Sequence, residues 1–336
     1  MSDGPLVIAV PSKGRLQENA AAFFRRAGLP VSQARGSRDY RGTLAGVPDA
    51  EILFLSASDI VGQLAAGAAH LGVTGEDLLR EGVPDVDGRL ELITPLGFGH
   101  ANVVVAVPQS WIDVRAMADL DEVADEMRAR HRRRLRVATK YLNLTRRFFS
   151  EKGVVDYRIV ESLGATEAAP QSGTADLIVD ITTTGATLAA NGLKILDDGT
   201  ILRSEANLVA SLAAAWGPTA RAVARDVLSR IAAEETARTT REIRAAIEPA
   251  RVNVQALTER FGASRPAGRR GADELVLHCP VDAVFDVVGE LMNSGTEDLT
   301  VNTLDYVFSI ANPLTERLFR RLDAGSHSSP GAMSLP

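Results

Sequence analysis

The chain has 336 residues, of which 45% are apolar, 24% charged and 5% aromatic, and its formal net charge is −6. At roughly 100–200 residues per domain, this length predicts two or three structural units, with aliphatic side chains filling the cores. The acidic balance argues against a general nucleic-acid or membrane binder, and a single cysteine, Cys279, rules out an internal disulfide or a cysteine metal cage.

Met1–Pro11 carries no basic segment ahead of a long apolar stretch, and no apolar run approaches roughly 18 residues, so a soluble, cytoplasmic chain without a signal peptide is expected. Leu6–Val10 reads as a strand, Pro11–Arg15 as a loop and Leu16–Ala27 as a helix. Glu51–Leu55 is a second strand, Ser58–Gly67 a helix capped by Ser58, and His70–Val73 a buried strand ending in Thr74-Gly75-Glu76-Asp77. This alternation predicts an α/β fold with a mostly parallel, doubly covered sheet. A second block begins near Asn102 with a strand at Val103–Val107. It continues with a helix at Leu120–Arg130, a strand at Arg136–Ala138, a helix at Leu144–Lys152 and a strand at Tyr157–Glu161. Glu167–Ser172 follows as a short helix, Leu177–Asp180 as a strand, Leu188–Asn191 as the start of a helix, and Lys194–Leu196 and Thr200–Leu202 as edge or return strands.

Gly217-Pro218 marks a break, after which an Ala- and Arg-rich helical stretch is expected from Thr219 to about Ile247. Ala263–Gly271 reads as a linker, Glu274–Cys279 as a strand, Asp282–Met292 as an amphipathic helix, Leu299–Val301 and Tyr306–Ser309 as strands, and Pro313–Leu322 as a last helix. The Gly/Ser/Pro composition from about residue 323 predicts a disordered tail.

The chemistry concentrates in Asp176–Leu193. An apolar strand ends at Asp180, and Thr182, Thr183, Thr184, Gly185, Ala186 and Thr187 follow before a helix. Unpaired helix-start amides and the helix dipole favour an anion there, glycine permits close backbone approach, and threonine hydroxyls add donors. Asp180 is placed to hold a ribose hydroxyl or to help position Mg²⁺. The same residues also fit a plain β-turn with a capping threonine, and the loop alone does not separate the two readings. It lacks the G-x-x-x-x-G-K-[ST] of a P-loop.

The longer pattern does separate them. Glu167, five intervening residues, Gly173, Ala175, Ile178, Asp180 and then Thr184-Gly185-Ala186-Thr187-Leu188 resembles the signature of ATP phosphoribosyltransferases without a gap. Ile8–Leu16 with Lys13-Gly14-Arg15-Leu16, Leu71–Leu79 with Gly75 and Asp77, and Val137–Thr145 with Thr139-Lys140-Tyr141 are similar to further segments of that family, in its order, over about residues 5–215. Departures fall at Ser56, Val61, His70, His100-Ala101-Asn102 and Leu142.

The resemblance implies a two-lobed catalytic core like the type II periplasmic-binding-protein fold, plus a smaller α+β C-terminal domain. Residues 1–104 and 190–217 would form lobe I and 105–189 lobe II, with the chain crossing near 105 and returning near 190. Residues 218–323 would be regulatory or oligomerising, and 324–336 the tail. It implies joining of ATP, through adenine N1, to phosphoribosyl pyrophosphate (PRPP), the first step of histidine biosynthesis. PRPP would lie on Asp180, Thr182, Thr183, Thr184, Gly185, Ala186, Thr187 and Leu188, and ATP on Lys13, Gly14, Arg15, Leu16, Gly75, Asp77, Thr139 and Lys140. Lys13, Arg15 and Asp180 would be catalytic, and Mg²⁺ would be held mainly by substrate, without a protein metal cage. Histidine as feedback inhibitor and a dimeric or hexameric homo-oligomer are implied as well.

The residue types suit that reaction. Adenine N1 already carries a lone pair, so catalysis rests on positioning and on stabilising the departing pyrophosphate, where one lost donor costs ~2–4 kcal/mol of barrier. Outside the resemblance, Lys13 and Arg15 read as a solvated loop pair, Asp77 as a helix-start charge, and Glu161 as a strand-end surface carboxylate or as a contact to the ribose or the loop. Lys140, Arg146 and Arg147 read as surface charge or a phosphate contact. His131 among Arg132, Arg133 and Arg134 reads as a solvated face, and His278 and Cys279 as packing. A non-enzymatic two-lobed protein that binds an anion or small molecule, or a regulatory paralogue, is the competing reading. So is a phosphoribosyltransferase acting on a free base, although that class places two adjacent acids where Asp180 stands alone.

Overall fold

The computed structural model describes residues 4–33, 40–162, 164–266, 274–296 and 298–326. By its contacts the chain forms two compact units, one built on residues up to Phe23, on Val31–Arg221 and on the chain from Leu318, the other on Phe24–Pro30 and Ala222–Arg317.

The first unit holds two sheets. Its opening elements are β1 (Leu6–Pro11), α1 (Gly14–Arg26, whose last turn passes into the second unit), β2 (Val31–Gln33), β3 (Arg41–Leu44), β4 (Val47–Leu55), α2 (Ala57–Ala65), β5 (Leu71–Gly75), α3 (Glu76–Gly82), α4 (Val86–Arg89) and β6 (Leu90–Pro95). The second sheet and its helices follow as β7 (Asn102–Pro108), α5 (Met117–His131), β8 (Leu135–Thr139), α6 (Leu142–Glu151), β9 (Tyr157–Glu161), β10 (Leu177–Thr182), α7 (Ala186–Ala190) and β11 (Leu193–Leu202). The chain then returns to the first sheet as β12 (Ala206–Ser211).

Among the described residues, the first sheet has the order β2-β3-β4-β1-β5-β12-β6 and the second the order β11-β7-β10-β8-β9. This is the two-lobed α/β arrangement of the type II periplasmic-binding-protein core. β1 pairs in parallel with β4 and β5, setting Ile8 beside both Ile52 and Leu71, while β12 closes antiparallel on β5. Side chains alternate between faces along a strand. Val103, Val105, Val107, Leu177 and Val179 therefore feed one core of the second lobe, and Val104, Ala106, Ile178 and Leu188 the other. A sheet covered on both faces needs these continuous apolar runs.

Several expectations change. Helix α2 is capped by Ser56, whose hydroxyl accepts from the Asp59 amide at 3.1 Å, so Ser58 lies inside the helix. In place of the short helix expected at Glu167–Ser172 there is a 3₁₀ turn, Thr166–Ala168, followed by hydrogen-bonded turns. The two short strands expected at 194–202 are one irregular strand, β11, paired with β7. The return crossing therefore follows Leu202 rather than residue 190. There the two crossing segments bond to each other: Leu96 N–H to Ala206 O, Ala206 N–H to Phe98 O and Ala101 N–H to Ser204 O, each at 2.9 Å.

The second unit contains most of α8 (Pro218–Thr239), then β13 (Thr240–Ala245), α9 (Val254–Phe261), β14 (Leu275–Pro280), α10 (Val284–Asn293) and β15 (Leu299–Thr303). The last helix, α11 (Pro313–Ser326), begins in this unit and ends in the other. The helix expected to reach Ile247 stops at Thr239, because Thr240–Ala245 is the central strand of a β14-β13-β15 sheet. Ala and Arg favour helix locally, but the ladder and full burial of Ile243 prevail. Cys279 packs into the same core, as expected. Tyr306–Ser309 is not a strand: Val307 N–H bonds to Ala233 O and the Tyr306 hydroxyl to Arg26 O. Helix α11 runs through Ser326, past the expected start of a tail, and residues 327–336 lie outside the described residues, as does most of the expected linker. Among the described residues, no helix is long and apolar enough to cross a membrane.

Candidate functional site

Strand β10 carries three fully buried residues, Leu177, Ile178 and Val179, and then emerges at Asp180. Its antiparallel register with β7 pairs Asp180 with Val104 and Thr182 with Asn102, so the loop after β10 lies beside His100 and Ala101. The chain reverses through Gly185, whose φ of +77° is the left-handed conformation that favours glycine, and enters α7. Leu188 anchors that helix in the apolar core.

The threonines divide the work of shaping this loop. The Thr182 hydroxyl accepts from the Gly185 amide at 2.8 Å, the Thr184 hydroxyl from the Ala186 amide at 3.4 Å, and the Thr183 hydroxyl donates to the His100 carbonyl at 3.0 Å. First-turn helix amides have no partner one turn back; Ala186 gives its own to Thr184, and those of Thr187 and Leu188 are left for an anion. Asp180, Ile181, Thr182, Thr183, Thr184, Thr187 and Leu188 line a cavity of about 370 Å³, with Glu167, His100 and Ala101 completing its wall. Gly185 and Ala186 form the turn itself rather than the wall.

Burial pushes the Asp180 carboxyl above the usual carboxylate range, and the negative charge of Glu167 adds to this. The Ile181 amide, 2.8 Å from Oδ1, and the Lys140 charge oppose it. At the opposite end of β10 from the loop, Asp176 accepts from the side chains of Arg133 and Arg136 and from the Arg136 amide. Burial disfavours its charge, but these donors prevail and pull its pKa down to about 2. Arg136 also donates to Gly173 O at 2.8 Å, which fixes the segment leading into β10. Arg133, expected as part of a solvated face, is thus one arm of an ion pair.

The other expected positions divide. Lys13 and Arg15 are exposed and Leu16 half-buried at the carboxyl end of β1, where Gly14 turns the chain at φ +71° into α1. They are not in the cavity wall. Gly75 ends the neighbouring parallel strand, and a Cβ there would meet Asp77 Oδ1 at 2.3 Å, so glycine makes room for that carboxylate. Asp77, expected at the nucleotide, has a buried and occupied side chain instead. Ser204 Oγ donates to Oδ1 at 2.9 Å, and the Tyr141 hydroxyl donates to Oδ2 at 2.7 Å. Thr139, also expected to touch nucleotide, is fully buried and accepts from the Tyr141 amide. Lys140 is exposed, with Nζ 5.1 Å from the Tyr141 ring centre.

Four wall residues, Glu167, His100, Ala101 and Ile181, are given no role by the sequence. Glu167 opens the signature and is visible as such. His100 joins the wall through its place before β7, which spacing alone does not reveal.

A family model described as HisG, ATP phosphoribosyltransferase, matches residues 56–233. An ATP phosphoribosyltransferase of Nitrobacter hamburgensis is 60% identical over 316 residues, covering 94% of this chain and 97% of the relative. One from Afipia carboxidovorans is 58% identical over the same shares of each chain. Among solved structures, the ATP phosphoribosyl transferase (HisG:HisZ) complex from Thermotoga maritima matches at 27% identity with a TM-score of 0.51, covering 67% of this chain and 95% of that one.

Proposed function

The chain belongs to the ATP phosphoribosyltransferase family, and we infer that the loop between β10 and α7 is where it grips PRPP. The protein is an ATP phosphoribosyltransferase of histidine biosynthesis, a pentosyltransferase that condenses ATP with PRPP to phosphoribosyl-ATP and pyrophosphate. The carrying observation is convergence: threonine hydroxyls, helix-start amides and two carboxylates meet around one cavity of about 370 Å³.

In this reading the first-turn amides of α7 and the hydroxyls of Thr184 and Thr187 receive the 5′-phosphate of PRPP. Asp180 and Glu167 accept from its ribose hydroxyls. Gly185 and Ala186 supply the turn, and Thr182 and Thr183 fix it. ATP lies along the carboxyl ends of β1 and β5, against Lys13, Gly14, Arg15, Leu16 and Gly75, with Lys140 facing from the other lobe. Lys13 and Arg15 are the cations that meet phosphate charge. Asp77 and Thr139 act on ATP only indirectly, through the contacts they make within the protein.

The bond changes are simple. Adenine N1 donates its lone pair to C1 of the ribose while the C1–oxygen bond to pyrophosphate breaks, and the electron pair leaves with pyrophosphate. No side chain must remove a proton to create the nucleophile, so the protein aligns the two substrates and surrounds developing charge with fixed donors. The hard oxygens of Asp180 and Glu167 fit Mg²⁺ brought in on its substrate, where the ion would neutralise phosphate charge.

We further propose that the unit containing β13, β14 and β15 is a regulatory or oligomerising domain, that histidine inhibits through it, and that the enzyme works in the cytoplasm as a homo-oligomer. Pyrophosphate release measured with ATP, PRPP and Mg²⁺ tests the activity: release that needs both substrates is expected, and release without ATP or none at all contradicts it. Calorimetry with histidine tests the regulation, and absence of both binding and inhibition removes that part.

A further inference from the structure

Helix α6 begins in the second lobe without a side-chain cap of its own, since its N-cap residue Tyr141 makes no capping bond. The cap comes from the first lobe. The Glu81 carboxylate, at the end of α3, accepts from the Asn143 amide at 2.9 and 3.0 Å and from the Leu144 amide at 3.0 Å. The Asn143 side chain returns a bond to Glu81 O at 2.9 Å. A carboxylate on a helix N-terminus satisfies orphan amides and opposes the dipole, but here it joins helices from different sheets.

A second tie joins the same two helices. The Tyr141 hydroxyl donates to Asp77 Oδ2, Ser204 Oγ donates to Asp77 Oδ1, and Ser204 Oγ accepts from the Asp77 amide, all within 2.7–2.9 Å. Asp77 belongs to α3, Tyr141 to the turn before α6, and Ser204 to the returning crossover. Asp77 and Tyr141 are buried, and burial together with the Asp77 charge holds the tyrosine proton in place. Lys140, the adjacent residue, projects its charge onto Asp180 of the loop after β10.

We propose that Tyr141, Asp77, Ser204 and Glu81 form an inter-lobe latch, a set of positioning residues that fix the cleft in its substrate-binding closure and carry Lys140 toward the PRPP loop. This rests on the reading of the PRPP loop and the ATP-binding strand ends given above. The latch touches no reacting atom. It acts by keeping the competent arrangement populated, so losing one bond divides that population and multiplies apparent dissociation constants without changing the bound complex.

The test uses the full-length enzyme with Tyr141→Phe, Glu81→Ala and Glu81→Gln. Tyr141→Phe and Glu81→Ala are expected to raise KM for both substrates roughly tenfold, the size of one hydrogen bond to a charged group, with kcat within about twofold of wild type. Glu81→Gln keeps one acceptor oxygen and recovers part of the affinity. Hydrogen exchange of residues 142–150 rises in substrate-free Tyr141→Phe, which removes no partner of those amides, and returns to the wild-type rate with ATP and PRPP bound. Unchanged KM with a lower melting temperature makes these contacts merely structural and overturns the proposal. A fall in kcat at unchanged KM overturns it too, by placing Tyr141 in the chemistry. If wild type itself releases no pyrophosphate, the functional reading fails instead, which the variants alone do not produce.

Discussion

Replacing Gly185 by alanine isolates the turn that shapes the PRPP loop. A Cβ there would meet Ile195 Cδ1 at 3.6 Å, an ordinary contact, so packing does not resist the change. The cost is backbone: at φ +77° an L-residue is disfavoured by about 1–2 kcal/mol. In a unit of this size that corresponds to a melting-temperature fall of roughly 2–8 °C. The loop can relieve the strain by leaving the left-handed region, which rotates the following amides and hydroxyls away from the cavity. KM for PRPP is then expected to rise about tenfold, the kinetic equivalent of about 1.4 kcal/mol, with little change for ATP. Gly153 provides the control. Its φ is +80°, a Cβ added there would meet open space, and it lies away from the cavity wall, so Gly153→Ala carries the same backbone cost. Steady-state kinetics and thermal melts of both variants decide the matter. Equal melting shifts with a PRPP effect only at Gly185 support the reasoning, whereas an unchanged PRPP KM in Gly185→Ala refutes it.

Other consequences follow from single groups. Asp180→Asn is expected to lower kcat/KM roughly 10–100-fold, as for loss of a charged hydrogen-bond acceptor. Because burial raises the Asp180 pKa, wild-type kcat/KM should decline on acidification at a pH above the usual ~3.9, and the variant should lack that limb in a pH–rate profile. His70 accepts from the Val7 amide through Nδ1 and bonds Ala215 O through Nε2, and burial lowers its pKa, so it folds neutral. Its contribution is complete above the unfolded value of ~6.5 and is lost as pH falls below it, so melting temperature should drop from pH 8 to 5.5 more steeply in wild type than in His70→Asn. Asp176, at about 2 when folded, contributes stability above ~4 that fades as pH falls toward 2; Asp176→Asn should melt lower at pH 7 and lose less on acidification.

What the sequence disclosed follows from where local chemistry decides structure. The apolar run Leu177–Val179, the emerging Asp180 and the turn glycine define the loop within a dozen positions; the order strand, loop, helix is as expected, but the strand runs on to Thr182 and the helix opens already at Ala186. Strand β12 is not legible locally because Ala206–Ser211 mixes small and polar residues; its full burial comes from neighbours β5 and β6, distant in the chain. Strand β13 is masked by helix-favouring Ala and Arg until pairing on both sides overrides them. Asp77 illustrates the same limit at a side chain. Its local context reads as a helix-start charge facing ligand, yet its partners Tyr141 and Ser204 lie 64 and 127 residues away. Glu167 stands in plain view in the signature, but its approach to Asp180 exists only once the 3₁₀ turn settles against β10.

The most direct test of the PRPP loop is calorimetric titration of PRPP into wild type and into Thr184→Ala/Thr187→Ala. Both threonines line the cavity, and the turn at Gly185 is secured by Thr182 at 2.8 Å, with only a long 3.4 Å contact from Thr184 to the Ala186 amide. The account expects the double variant to bind at least about tenfold more weakly, the effect of one or two lost hydrogen bonds to charged phosphate oxygens. Wild-type affinity in the double variant would place the sugar-phosphate elsewhere and contradict it.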